Sequence, residues 1–504
     1  MIKMNRKLLV LNIFLTVACL GGYAAPKDSA YIERQNMLKT GLGQYDVNPA
    51  FYGRKYLYSQ NELQLGFLHD RQKLAYVEQK GDGCFATRIR TESYIRLSER
   101  SVVWGTASYR TRNTRNIRWN NTADYDLLAP DVTADSVGGN TKGEQYYFRG
   151  GYAGSCGRWT IGAEAEFRAE QEYRQRDPRM RGVVSDLNIR LGTSRELASY
   201  RWGLALLGNV YRQRNDVKFY NLDGGYSQYL MTGLGESYQR FADNKPDVQY
   251  RGGGVGLSMQ MMPIASPGWM ISVSTSEHRY ERILVSYNSL PLTTLYHQQM
   301  ALMAGWKREG DNDLAVWAEY RWHKRSGDES IVGASSVNVY PVEGTLTMYK
   351  SDFTDASVHA LYGRNGRHPW HLGIDAGYLN QHSSYAYPDR KMDVARGYGR
   401  IKAQRITFLG DRWKLLTMLY TGYTKKLSSH IVMPYAIMEK SVVEMIASNY
   451  RYACTDDFQG GVSARADHQM KGGNTLYFQL SGDVIVSRPT NNEQQVVCTV
   501  GITF

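Results

Sequence analysis

Histidine, serine and paired acids are the residues through which this chain could do hydrolytic chemistry. There are ten histidines, and a serine nucleophile would need a base, a polar group to orient that base and a donor for the oxyanion. No histidine stands in a Gly-x-Ser-x-Gly or His-Glu-x-x-His motif. Asp456 and Asp457 have the spacing of a paired-acid site, but adjacent acids in a loop are usually solvated. We therefore expect no catalytic residues and no enzyme activity.

Metal and cofactor chemistry is also not indicated. No CxxC motif and no Cys/His cluster of zinc-ligand spacing occurs. We therefore expect no metal and no cofactor. Four cysteines follow the N-terminal segment: Cys84, Cys156, Cys454 and Cys498. Their even number permits disulfides in an oxidising compartment, but their spacings form no framework, so the pairing stays open.

The charged residues best placed to act on a solute alternate with apolar ones. Between Trp159 and Glu170, one face is aromatic or aliphatic and the other carries four charges. A period of two indicates a strand, and this segregation indicates lipid on one side and water on the other. The inward, lumen-lining candidates are Arg88, Arg90, Glu92, Glu164, Glu166, Arg168, Glu170, Glu319 and Arg321.

These inward charges have two interpretations. In an open lumen they form a field that sets the ion preference of a pore. In a filled lumen they pair with one another and stiffen the wall. Both interpretations need the same residues, so the sequence does not separate them.

The last ten residues form the clearest strand. Val496, Cys498, Val500, Ile502 and Phe504 share one face. A strand that ends the chain on an aromatic residue resembles the signal by which outer-membrane β-barrels are handed to the barrel-assembly machinery. We assign Phe504 as this assembly signal.

The N-terminus resembles an export signal. Lys3, Arg6 and Lys7 precede a short apolar run, and small residues follow it. We expect a signal peptide over residues 1–24. An alternative is lipidation at Cys19, although Thr16 stands where a larger aliphatic residue is usual.

Composition agrees with spanning by strands. Past residue 20 no apolar run approaches the ~20 residues of a transmembrane helix, and mean hydropathy is −0.48. The net charge of +13 would suit nucleic acid, but no binding motif accompanies it and acids interleave with the bases. We expect no nucleic-acid partner and contacts with outer-membrane lipid instead.

Turn spacing predicts the architecture. Eight short turns, near residues 98, 155, 196, 265, 310, 365, 410 and 471, alternate with longer connections. This predicts an all-β, single-chain antiparallel transmembrane β-barrel of about 18 strands, or 16, with short periplasmic turns and long extracellular loops. The predicted units are a signal peptide (1–24), an N-terminal periplasmic or lumen segment (25–60) and an outer-membrane barrel (61–504).

Tryptophans gather beside the short turns. Seven of the ten lie within a few residues of one, which is typical of an interfacial girdle. The girdle residues we assign are Trp104, Trp159, Trp202, Trp269, Trp306, Trp370 and Trp413.

Several stretches resemble an uncharacterised family of Bacteroidota outer-membrane β-barrels. They are Asn48-Pro49-Ala50, Val103-Trp104-Gly105 with Ala107 to Arg110, Phe148 to Ala153, and Tyr173 to Arg179. The resemblance implies a single barrel in the outer membrane and no established activity. The Asn-Pro-Ala segment is similar to N-terminal segments that tuck into the periplasmic mouth of barrels; a simple Asn-Pro turn is the other interpretation.

The sequence is compatible with three functions. The first is a non-enzymatic channel or uptake component for small polar solutes. The second is a barrel plugged by its own loops that serves as a structural or accessory partner of a surface or secretion complex. The third, a hydrolase with a loop-borne site, lacks a supporting motif.

Overall fold

Alternating segments pair in chain order into one closed antiparallel sheet. The computed structural model describes residues 27–45, 47–220, 228–242, 247–336, 339–435, 438–488 and 491–504. The predicted signal peptide and Cys19 lie outside these residues. The strands are β1 Gln60–Gln72, β2 Gly83–Arg96, β3 Ser101–Ile117, β4 Thr133–Ala134, β5 Gly139–Cys156, β6 Trp159–Arg174, β7 Arg179–Leu197, β8 Tyr200–Lys218, β9 Tyr229–Gly233, β10 Glu236–Ser237, β11 Val248–Pro263, β12 Gly268–Leu284, β13 Leu290–Arg308, β14 Asn312–Val332, β15 Val342–Arg364, β16 Trp370–Tyr385, β17 Arg390–Leu409, β18 Trp413–Val432, β19 Asp456–Gln469, β20 Thr475–Arg488 and β21 Asn491–Thr503.

Eighteen of these strands form the barrel, and β4, β9 and β10 form a separate three-stranded sheet. The barrel closes because β1 pairs with both β2 and β21. The predicted single-chain antiparallel barrel of 18 strands is therefore confirmed, and residues 60–72 form one strand rather than a hairpin. With strands ~4.8 Å apart and tilted ~40°, the backbone diameter is about 35 Å.

The two rims differ in their connections. At the short-turn rim the eight predicted turns join successive strands through two to five residues, and both ends of the barrel lie there. At the opposite, loop rim, several predicted long loops are shorter than expected. Residues 175–178 and 386–389 are tight turns because the flanking strands extend further. Beyond the lipid-facing band, the strands continue to pair although their residues no longer alternate between apolar and polar. The alternating sequence pattern therefore ends before the strand does.

The part of the chain that the structure describes also contains five α-helices. They are α1 Lys27–Gln35, α2 Met37–Leu42, α3 Pro49–Tyr52, α4 Tyr125–Leu128 and α5 Lys440–Ala453. None of the helices in the described residues has the length and apolarity to cross a membrane. The first three precede β1, α4 lies between β3 and β4, and α5 lies between β18 and β19.

Candidate functional site: a lumen closed at both rims

Residues 27–59, here called the belt, follow the inner wall at the short-turn rim. Their partners lie on β19, β16, β14, β7 and β3, so the belt follows the wall in the reverse of chain order. These contacts are Tyr31 to Asp467 on β19, Asn36 to His371 on β16 and to Asp313 on β14, Tyr45 to Glu319 on β14, Asn48 to Thr193 on β7, and Tyr52 stacked on Trp104 of β3. The belt thus narrows this mouth along most of its circumference.

The Asn-Pro-Ala segment is fixed in a cradle of glycines. Asn48 is fully buried and caps α3 by accepting from the Ala50 amide at 2.9 Å. A Cβ at Gly192 would lie 2.0 Å from the Asn48 Oδ1 atom, and one at Gly203 would lie 2.1 Å from Phe51. Only glycine leaves room for this approach. The segment therefore packs into the barrel mouth and is more than a local turn.

Three loops meet over the lumen at the loop rim, and together they are called the cap. They are residues 118–138, 228–242 and 433–455. Their apolar side chains share one buried cluster with inward residues of the wall: from the cap, Trp119, Leu128, Leu230, Phe241, Val442, Met445 and Ile446, and from the wall, Val184, Tyr211, Tyr250, Leu284, Leu292 and Leu295. This packing forms a hydrophobic core between the cap and the wall.

A buried acid of the cap lies near a buried arginine of the wall. Asp131 is 3% exposed and Arg282 is 0% exposed. Arg282 donates to the carbonyl of Met231 at 2.7 Å, which joins the wall to the cap. Burial raises the pKa of Asp131 to about 6, and the nearby Arg282 cation only partly opposes this.

Between belt and cap lies a space, here called the chamber. A cavity of about 180 Å³ opens there, lined by Val47 of the belt and by wall residues that include Arg190, Ser274, Gln299 and His323. Inward side chains of the wall also retain exposure: Arg321 is 45% and Lys402 is 41% exposed. The chamber surface therefore combines polar and apolar side chains and carries accessible cations.

Glu164 is the centre of one ion-pair network on the wall. It accepts from Arg149 at 2.7 Å, from Arg190 at 2.8 Å and from the Trp104 indole at 2.7 Å. Glu166 also lies 3.2 Å from Arg190. These predicted lumen residues are therefore paired across three strands.

Arg168 connects the wall to the cap. Its guanidinium binds both oxygens of Asp124 at 2.8 and 2.7 Å, and it also contacts Asp186 at 3.2 Å and Glu170 at 3.1 Å. Because Asp124 belongs to a cap loop, this bidentate contact fixes the loop over the lumen.

The remaining lumen candidates lie on two other sectors of the wall. Arg90 pairs with Glu92, and Arg321 contacts Glu319 at 3.3 Å and Asp355 at 2.8 Å. Arg88 is exposed on the same face of β2 as Arg90. The inward charges thus do not form one site. Most of them form ion pairs with neighbouring inward side chains of the wall.

Six of the seven assigned girdle tryptophans face outward near the short-turn rim. Trp159, Trp269 and Trp413 are among the exposed ones, at 47%, 61% and 49%. The assignment of Trp104 is wrong: it is 7% exposed, stacks on Tyr52 and donates to Glu164. Its position shares the inward face of β3 with Val102, which is also buried. A nearby turn determines how close a residue lies to the rim of the barrel. Whether the side chain faces the lipid or the lumen depends on its odd or even position along the strand.

Phe504 lies on the outer side of the seam between first and last strands. Its amide and carbonyl both pair with the backbone of Asn61 at 3.0 Å, and its side chain is 37% exposed. The four described cysteines form no disulfide. Among the described residues, no group of three or more His, Cys, Asp or Glu side chains could hold a metal ion.

Sequence reasoning missed the belt contacts and one wall cluster. Tyr45 and Tyr52 lie in a stretch without periodicity, and the glycines that approach the belt lie opposite Asn48 and Phe51 instead. Ser357, His359 and Asp375 meet across β15 and β16. No contiguous motif contains them, because strand register brings them together.

The fold and lumen define a membrane-spanning β-barrel with a belted, capped interior. The model of a family of unknown function, DUF6850, matches residues 49–504, and the chain belongs to this family. No curated protein matches the chain.

Solved structures give only remote similarity. The ferric enterobactin receptor PfeA of Pseudomonas aeruginosa matches with 8% identity and a TM-score of 0.38, over 88% of this chain and 80% of that one. BauA, the ferric preacinetobactin receptor of Acinetobacter baumannii, matches with 10% identity and a TM-score of 0.40, over 88% and 80%. The outer-membrane transporter YddB of Escherichia coli has 6% identity and a TM-score of 0.39, over 88% and 81%. Similarity at this level carries no functional information.

Proposed function

We propose that the protein is an outer-membrane barrel that admits small polar solutes through a gated lumen. The observation that carries this proposal is the chamber: a space lined by Val47 of the belt and by polar and apolar wall residues lies between belt and cap, within a wall about 35 Å wide. Hydrogen bonding between neighbouring strands does not by itself require a space of this kind. The short-turn rim, where β1 begins and β21 ends, faces the periplasm and the cap faces outside. Outward apolar side chains contact the lipid, and the export signal and Phe504 direct insertion by the barrel-assembly machinery.

The gate in this proposal is the cap. Its loops are held by apolar packing and by many polar contacts with the wall, among them Arg168 to Asp124 and Arg174 to Asp135. A solute or an unidentified surface or transporter partner that binds the open cap more tightly would shift the population toward it.

A swelling assay on proteoliposomes tests this function. Ile446→Asp places a charge in the buried cluster of the cap, where Ile446 is 4% exposed. We expect slow swelling in arabinose for the wild type and several-fold faster swelling for the variant. Glu444→Gln, on the exposed side of α5, is the matched control and should behave as the wild type does.

The second candidate is a plugged accessory barrel, which the extent of apolar packing in the cap favours. Such a barrel needs no conducting state. Unchanged swelling of Ile446→Asp, together with a loosened cap shown by proteolysis of residues 433–455, would select this candidate over the channel.

A further inference from the structure

Two arginines face each other directly across neighbouring strands of the inner wall. Arg88 on β2 is the register partner of Arg110 on β3, and the Cβ atoms of such a pair are about 4.5–5.5 Å apart. Like charges that face each other in this way destabilise a sheet. An anion between the two guanidiniums would turn this repulsion into attraction.

The two guanidiniums have no acid partner among the residues that the structure describes. The Nε–H group of Arg110 is also buried without a hydrogen-bond acceptor. The neighbouring arginines on the same faces differ, because Arg90 pairs with Glu92 and Arg112 contacts Glu172 at 3.2 Å. The opposed pair is therefore an exception to the ion pairing of the wall.

The acid next along this row is engaged by other side chains. Gln145 lies opposite Arg110, and Glu170 lies opposite Gln145. Glu170 accepts from Gln145 at 2.7 Å and pairs with Arg168 at 3.1 Å. Two positive charges thus remain uncompensated at this height of the wall.

Space for a small anion lies beside the pair. Gly66 on β1 is the other register partner of Arg88, and Thr499 on β21 lies opposite Gly66. A Cβ at Gly66 would have no other side chain within 4 Å except Thr499, whose hydroxyl oxygen would be 3.6 Å away. Arg88 itself is exposed although it points into the barrel. A phosphate-sized group can therefore reach its guanidinium, with the Thr499 hydroxyl as a further donor.

The pair lies at the height of the chamber. Near the belt, Arg96 of β2 donates to the Tyr56 carbonyl at 3.1 Å. Just before the other end of β2, the carbonyl of Gln79 accepts from Asn120 of the cap at 3.2 Å. Arg88 lies between these two contacts, so a ligand bound there would be enclosed by belt and cap.

We propose that Arg88 and Arg110 form a binding site for a small solute that carries a phosphate group. The proposal rests on the proposed function and names the class of solute. Each planar guanidinium can give two parallel N–H donors to phosphate oxygens. A phosphate dianion matches both positive charges and has enough terminal oxygens for both forks, whereas one carboxylate is satisfied by a single arginine.

Equilibrium dialysis of radiolabelled inorganic phosphate against the full-length protein in detergent, at low salt, tests the site. We expect saturable binding that weakens by about tenfold or more in Arg88→Gln and in Arg110→Gln, the scale of one lost charge-assisted contact. Arg88→Lys keeps the charge without the fork and should fall between them and the wild type. Arg251→Gln makes the same change in an outward side chain that is 62% exposed, and this matched control should bind as the wild type does.

Competition separates a phosphorylated solute from the bare anion. Glycerol 3-phosphate should displace the label at least as well as unlabelled phosphate does, and glycerol should not displace it. A label that glycerol 3-phosphate cannot displace would overturn the assignment to a phosphorylated solute.

Thermal unfolding separates a binding pair from a structural one. Without phosphate, Arg88→Gln should unfold at the wild-type midpoint or above it, because repulsion is relieved. Phosphate should raise the midpoint of the wild type and not that of this variant. Unchanged phosphate binding in both glutamine variants, or no binding by either the wild type or Ile446→Asp, would overturn the proposal. Swelling in arabinose should be equal in wild type and Arg88→Gln, so failure of this site leaves the channel proposal standing.

Discussion

The indole of Trp104 on β3 reaches across Gly151 on β5 and donates to Glu164 on β6 over 2.7 Å. A Cβ at Gly151 would stand 2.3 Å from the Trp104 ring, so the reach depends on glycine. Tyr52 of the belt stacks on the same ring, with centroids 4.9 Å apart. Trp104 thus joins the Glu164 network of the wall to the belt, through a hydrogen bond on one side and a ring stack on the other.

Replacing Glu164 by glutamine should loosen this network. The change removes the charge that Arg149 and Arg190 share, and we expect the free energy of unfolding to fall by about 1–3 kcal/mol. Urea unfolding in detergent measures it. Glu144→Gln, at an exposed outward position on β5, should change little; equal losses in both variants would contradict a role for the network.

The glycine cradle should hold the belt in place. Gly192→Val cannot coexist with Asn48 in its present position, and overpacking of this kind costs about 1–3 kcal/mol. We expect protease to cleave residues 27–59 faster while the barrel keeps its heat-modifiable migration. Gly208→Val, where nothing lies within 4 Å, is the control. An uncleaved belt in Gly192→Val would refute the cradle.

The cap should lose stability as pH rises. Asp131 binds its proton more tightly in the folded cap, with a pKa of about 6 against 3.8 in the unfolded chain. Its contribution is therefore most favourable below about pH 4 and is lost as pH rises through 6, by about 2–3 kcal/mol.

Asp131→Asn should remove that part of the pH dependence. The difference in thermal midpoint between variant and wild type, measured at pH 4, 5.5 and 7, should grow with pH in favour of the variant. Asp126→Asn, whose side chain is 76% exposed in the same loop, should track the wild type. A constant difference for Asp131→Asn would contradict the raised pKa.

The C-terminal aromatic should matter for insertion. Phe504→Ala should lower the amount of folded barrel in the membrane fraction several-fold, because the terminal strand would lack its recognition residue. Phe478→Ala, on the same outward side of β20 and 48% exposed, controls for loss of apolar surface. Equal yields of both variants would remove the assembly role.

Strand alternation made the barrel predictable from sequence. Trp159 to Glu170 separates lipid and lumen faces residue by residue, and the short turns follow from breaks in that period. The strand number of 18 came from counting these breaks.

The belt, the cap and the wall cluster at Ser357 were not predictable in the same way. Residues 27–59 and 433–455 have no sustained period, and their positions depend on long-range packing. His359 and Asp375 are 16 positions apart and meet only through the β15–β16 register. Local pattern gives the face of a residue but not its neighbour across the sheet.

Single-channel conductance in a planar bilayer tests the gated lumen most directly. The comparison is between wild-type protein and a variant in which a short Gly-Ser linker replaces residues 440–453, the α5 helix of the cap. We predict a quiet membrane with the wild type and discrete conductance steps with the variant. A variant that inserts correctly but stays as silent as the wild type would contradict a solute path through this barrel.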